Sequence, residues 1–175
     1  MVFIESTRMK LREAQFFFKQ LAYTKQQVFA GDPEEFGYFL SAFLSAARSV
    51  TFALQFEEKE KYETWFPRWL SSLTDAEREL LRHFNEQRVS TVHRAGAEVS
   101  QSSEPTPMTE IRTGGPGQPA YLFFWPGVPG TPQPRFDRRV HSFHLGGTDS
   151  EVVETCRQYV TLLDRLVQNF GNSFG

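Results

Sequence analysis

Cysteine is almost absent: Cys156 is the only one in 175 residues. That excludes an internal disulfide and every zinc site needing two thiolates. A surplus of positive charge is also lacking. Nineteen Lys and Arg face twenty-one Asp and Glu, for a net charge of −2. No global field holds nucleic acid non-specifically, so contact with RNA or DNA must come from a local patch. The stretch from Met1 to Glu13 has no apolar run before a small-residue cleavage site, so no signal peptide is expected. The most apolar stretch, Phe36 to Phe56, is interrupted by Arg48, Gln55, three serines and Thr51. It reads as a buried helix rather than a membrane span. Proline is scarce in residues 1–96, which hold two of the ten. The other eight lie in residues 105–134.

What is present is aromatic. Phe occurs eighteen times and aromatics make up 15%, too core-rich for a disordered chain. The length fits one domain with one core. The expectation is a soluble, cytoplasmic single domain spanning residues 1–175. It is mainly α: an antiparallel bundle of four to five helices, with a small β-hairpin inserted before the C-terminal helix. The parts are a helical bundle in 1–96, a flexible loop in 97–119, a hairpin in 120–145 and a helix in 149–171.

Leu11, Ala14, Phe18, Leu21 and Val28 recur at helical spacing, so a first amphipathic helix is predicted from Ser6 to about Phe29. Asp32, Pro33 and Glu35 have the cap, first-position proline and capping-box spacing that open a second helix. That helix, Phe36 to Phe56, carries two apolar stripes. One is Phe36, Leu40, Phe43, Ala47, Val50 and Leu54; the other is Phe39, Ala42, Ala46, Ala53 and Phe56. Apolar on most of its circumference, it should be buried nearly all round. A third helix in 57–73 is interrupted or begun at Pro67. Thr74-Asp75-Ala76-Glu77 is a capping box that starts a fourth helix reaching about Arg94. Tyr121 to Trp125 and Phe136 to His144 are expected to pair as the hairpin. Thr148 to Glu151 reads as a further capping box, followed by the stripe Val152, Cys156, Tyr159, Leu163, Leu166 and Phe170.

The fourth helix carries the candidate chemistry. At about 100° per residue, Leu81, Phe84, Arg88 and Val92 fall within one face, with Asn85 on the side of Arg88. A guanidinium in an apolar stripe needs an anion, because burying it alone costs several kcal/mol. The partner is either a carboxylate of the protein or a ligand such as phosphate. His93 follows five residues later, roughly 140° round the helix. The two side chains converge if the helix end loosens near Gly96, or if two copies pair about a two-fold axis.

The pattern of Arg, four residues, then His, late in a helical bundle, resembles the HEPN superfamily. The stretch Phe39 to Arg48 is similar to the central helix of uncharacterised bacterial members. The resemblance covers roughly residues 8–96 and implies metal-independent RNA cleavage, or nucleotide binding, at a composite site between two copies. It implies Arg88 and His93 as the catalytic pair. His93 would serve as general base on a ribose 2′-OH or general acid on the leaving 5′-oxygen, and Arg88 would hold the phosphate. Asn85, Arg48 and Arg94 are the candidates for binding substrate. The chain departs from the pattern at Val89, apolar where cleaving members often carry a polar residue. The expected partners are a second copy joined through the fourth helix, RNA, and an antitoxin or other protein. No membrane, cofactor or metal is expected. A non-catalytic nucleotide-binding or interaction module is the alternative.

The other polar residues have plainer readings. Arg48 sits on a polar strip and reads as satisfying an internal network ahead of touching substrate. His93 at a helix end also complements the dipole. His83 is expected at the surface. His141 and His144, three apart on a strand, point to opposite faces and make poor joint ligands. Gly114 to Gly117 lacks the Lys-Ser/Thr of a phosphate loop. Arg135, Arg138 and Arg139 form a small basic patch on the hairpin.

Overall fold

A computed structural model describes residues 4–26, 34–93, 99–107, 111–113, 121–123 and 135–175. The side chains of residues 25–26, 88–93, 104–107, 111–113, 121–123 and 135–139 lie outside that description. The protein is mainly α, an antiparallel helical bundle with a small antiparallel sheet before the last helix. Its helices are α1 (Glu5–Gln26), α2 (Glu35–Glu57), α3 (Lys59–Ser72), α4 (Asp75–His93) and α5 (Val152–Phe174). Its strands are β1 (Ser100–Pro107), β2 (Ile111–Thr113), β3 (Tyr121–Phe123), β4 (Arg135–Leu145) and β5 (Thr148–Glu151).

Helix α2 is the centre of the bundle and touches each of the other four helices. Its first predicted stripe faces inward: Leu40, Phe43, Ala47, Val50 and Leu54 are buried. The second stripe does not. Only Ala46 of that set is buried, Phe39, Ala42 and Ala53 are half-buried, and Phe56 is 89% exposed. The expectation of a helix buried nearly all round is therefore corrected. The other helices cover one side of α2 fully and the other only in part. By length and composition α2 could cross a bilayer, but 44% of that stretch is buried inside the fold.

Helix α1 lies along α2 and α5, burying Leu11, Ala14 and Leu21 with Phe18 partly covered. Val28 lies outside the described residues. The end of α2 meets the start of α1, where Glu57 accepts hydrogen bonds from the Ser6 and Thr7 amides and the Thr7 hydroxyl (2.7, 2.9 and 2.7 Å). A carboxylate from another element thus satisfies amides that a helix start leaves open. The predicted cap of α2 is different in the structure. Glu34 stands at the cap position, with no side-chain cap bond, and Asp32 and Pro33 lie outside the described residues. Helix α3 runs through Pro67 rather than being broken or begun there.

The Thr74 box forms as read. Glu77 accepts from the Thr74 amide and hydroxyl at 2.9 and 3.0 Å, and the Glu77 amide donates back to the Thr74 hydroxyl at 3.3 Å. Glu77 also pairs with Arg165 of α5. The predicted stripe of α5, from Val152 to Phe170, is buried at all six positions.

The sheet differs in its pairing. Strand β4 pairs antiparallel with β1 on one edge and β5 on the other, and β3 pairs with β2. Tyr121 to Phe123 therefore does not pair with the Phe136 strand, and residues expected as loop supply β1 and β2. Thr148 to Glu151 is a strand, not a capping box, although Glu151 then caps α5 through the Val153 amide at 3.2 Å. Gly146 and Gly147 form the two-residue β4–β5 turn, with φ of 58° and 84°. Positive φ at both central positions suits the twist of a tight hairpin and favours glycine.

Candidate functional site

Helix α4 is held in place by Phe84. Its ring stacks on Tyr159 of α5 (centroids 4.0 Å, 5°) and meets Phe43 of α2 and Phe143 of β4 edge-on at 6.1 and 5.9 Å. Aromatic pairs of this geometry add to the burial they bring. Among the described side chains of α4, Leu80, Leu81, His83, Phe84 and Gln87 are buried. Leu81 and Phe84 of the predicted line are thus joined by Leu80, His83 and Gln87; the side chains of Arg88 and Val92, which complete that line, lie outside the described residues.

Arg88 and His93 both lie on α4, which continues unbroken to His93. Their side chains lie outside the described residues, as does Arg94 altogether. Asn85 is exposed. Leu81 and Phe84, two of the apolar positions that suggested a dimer face on this helix, are enclosed within the fold. The described half of α4 offers no such apolar face to a second copy.

Arg48 of α2 is half-buried. It donates to the Thr51 hydroxyl at 3.3 Å, and its guanidinium lies over the Phe52 ring at 4.2 Å. No hydrogen bond joins it to Asn85 among the described residues. It does lie near enough to two phenols, Tyr62 and Tyr159, to favour their ionised forms. Burial dominates at both and pushes each up to about 12. Both tyrosines therefore stay neutral at neutral pH.

His83 is the histidine that the sequence placed wrongly. It is buried, 6% exposed, rather than at the surface. Its ring meets Phe84 and Phe143 edge-on at 5.6 and 4.9 Å. Its Nε2 has no hydrogen-bond partner among the described residues. Burial holds the imidazole below its ordinary pKa, against an opposing pull from Glu86 and Glu79. The usable signal is the i, i+3, i+4, i+7 set at 80, 83, 84 and 87, which turns inward only if His and Gln are admitted to a core face.

His141 stacks on Phe36 of α2 at 3.8 Å, whereas His144 is exposed beside Asp149 at 3.1 Å. The two sit on opposite faces of β4, as the alternation requires. No group of three or more His, Cys, Asp or Glu side chains is clustered for a metal among the described residues. Cys156 is fully buried on the α5 stripe, and burial raises its thiol pKa well above the ordinary value. No protein-family model, curated protein or solved structure matches the chain.

Proposed function

We propose that the chain is a HEPN-like RNA-binding protein and a metal-independent ribonuclease, acting as a homodimer in a toxin or defence system. The observation that carries this reading is the course of α4. It runs unbroken through His93, so Arg88 and His93 share the last turns of one bundle helix. Phe84, one turn before Arg88, anchors this helix against Tyr159 and Phe143.

The chemistry uses residue types rather than a cofactor. Arg88 holds the scissile phosphate through its forked donors. His93 of the partner subunit, brought to the same groove, takes the proton from a ribose 2′-OH. The 2′-oxygen then attacks phosphorus and the bond to the 5′-oxygen breaks. A 2′,3′-cyclic phosphate and a 5′-hydroxyl end are left, the latter receiving a proton. Asn85, exposed one turn earlier, Arg48 and Arg94 are the proposed substrate contacts.

A second reading, a protein-interaction module, is favoured by one specific observation. Tyr38, Phe52 and Phe56 are exposed on a single helix. Incubating the purified protein with single-stranded RNA in the presence of a chelator separates the two. Cleavage with cyclic-phosphate ends, lost in His93→Ala, supports the nuclease. Absence of both binding and cleavage leaves the interaction module.

A further inference from the structure

Five large apolar side chains are exposed among the described residues: Met9, Phe16, Tyr38, Phe52 and Phe56. Three of the five belong to α2. Together with three small residues they form a line, Tyr38, Ala42, Ser45, Ser49, Phe52 and Phe56, in alternating steps of four and three. This is the a/d spacing of a coiled-coil seam, sustained over the length of the helix. Along the line Tyr38, Ser45, Phe52 and Phe56 are exposed, and Ala42 and Ser49 are half-buried. Ser49 directs its hydroxyl to the Ser45 carbonyl at 2.8 Å, so the middle of the seam satisfies part of its polarity internally.

We propose that this face of α2 is a homodimer interface, in which two copies of α2 pack antiparallel about a two-fold axis at position 47. The sequence of the seam is self-complementary in that arrangement. Phe56 meets the partner subunit's Tyr38, Phe52 meets the partner subunit's Ala42, and Ser45 meets the partner subunit's Ser49. Each large ring is set against a small residue or a second ring, and the serines let the helix axes approach at the centre. A parallel pair would instead stack Phe52 and Phe56 on their own copies at one end and leave Ala42, Ser45 and Ser49 facing each other. The helices would splay. Arg48 holds its cation over Phe52 at the edge of the seam, and aromatic and Arg side chains are the types that dominate interface energetics.

A pair of helices about 35 Å long supplies only part of the roughly 800 Å² per partner of a standard interface, so association in the micromolar range is expected. This inference does not rest on the RNA reading. Its two-fold on α2 is a different axis from one joining two α4 ends.

Sedimentation velocity over a micromolar concentration series tests it. The wild type should dimerise. Phe56→Asp should weaken dimerisation by about tenfold or more, a fall typical of a lost aromatic anchor. At concentrations below the dimerisation range its melting temperature should match that of the wild type, because Phe56 is 89% exposed in the monomer. The register is read by disulfide formation. Mixed Ser45→Cys and Ser49→Cys proteins should crosslink faster than either alone, with Cys156 buried away from the reaction. Three results overturn the proposal: a monomeric wild type throughout the series, a Phe56→Asp variant that dimerises normally, or single variants that crosslink to themselves as fast as the mixture. A monomer that binds phosphatidylcholine–phosphatidylglycerol vesicles through Phe56 would overturn it in favour of a bilayer.

Discussion

The imidazole of His83 stands edge-on to the ring of Phe143, centroids 4.9 Å apart, with its Nε2 buried and without a hydrogen-bond partner among the described residues. Phe143 is fully buried and belongs to the strand that seats the sheet on the bundle. A titratable group therefore lies in the contact between sheet and helix. Its charged form has Glu86 and Glu79 nearby on its own helix, but no partner at Nε2.

Acidification should loosen this contact. The folded-state pKa of His83 lies below the ordinary 6.5, so the unfolded chain binds the proton more readily. Stability is complete above about 6.5 and falls as pH drops from there toward the folded value. His83→Phe should flatten that part of the profile and leave the stability near neutral pH equal or higher. Denaturant titrations at about pH 5 and at neutral pH measure the difference. An unchanged slope in the variant would show that His83 is not the responsible group.

Glu57 behaves in the same direction over a lower window. Burial would raise its pKa, but the Thr7 hydroxyl and the Thr7 and Ser6 amides outweigh it and hold the carboxyl below its ordinary 4.5. Its stabilisation is present above about 4.5 and is lost as pH falls through the lower folded value. Glu57→Ala should cost about 1–2 kcal/mol at neutral pH, because the first turn of α1 loses its acceptor. Thermal melts of the variant at neutral pH test this.

The β4–β5 turn is sensitive to its backbone rather than its surroundings. A Cβ at Gly147 would meet nothing within 4 Å, so the effect of substitution is conformational. Gly147→Ala should destabilise by about 1 kcal/mol, and Gly147→Asn by less, since Asn enters the left-handed region more readily. Equal stability of all three proteins in urea would contradict the positive φ.

Within the proposed nuclease, His93→Ala should lower the cleavage rate by on the order of 10²–10⁴ with little change in stability. Arg88→Ala should weaken both RNA binding and turnover. Arg88→Leu is the sharper variant. A melting temperature that holds while RNA binding disappears assigns Arg88 to the ligand. A lower melting temperature with normal RNA binding assigns it to an internal ion pair.

Chelation should leave any cleavage intact, because the proposed steps use only Arg and His. Loss of activity in EDTA, restored by a divalent ion, would replace the mechanism with a metal-assisted one.

The legible parts of the chain were those fixed by neighbours in sequence. The Thr74–Glu77 box and the α5 stripe form as read, because capping and 3.6-residue spacing act within a few turns of one helix. The resemblance of Arg88 and His93 to a catalytic pair is likewise local, as a spacing on one helix. The Gly146-Gly147 turn was not legible in the same way, because Thr148 and Glu151 have capping-box spacing and point to a helix start instead.

What the tertiary structure decided depends on which distant surface arrives. Tyr121 to Phe123 is the more apolar segment, yet β4 pairs with the polar β1, a choice made between segments far apart in sequence. His83 turned inward because Phe143 covers it, a contact between residues sixty positions apart. Helix α2 is apolar almost all round by composition, yet only packing could show which side α1, α3, α4 and α5 would cover. Periodicity states that a helix has apolar faces. The number of neighbours available to bury them sets which face stays in water.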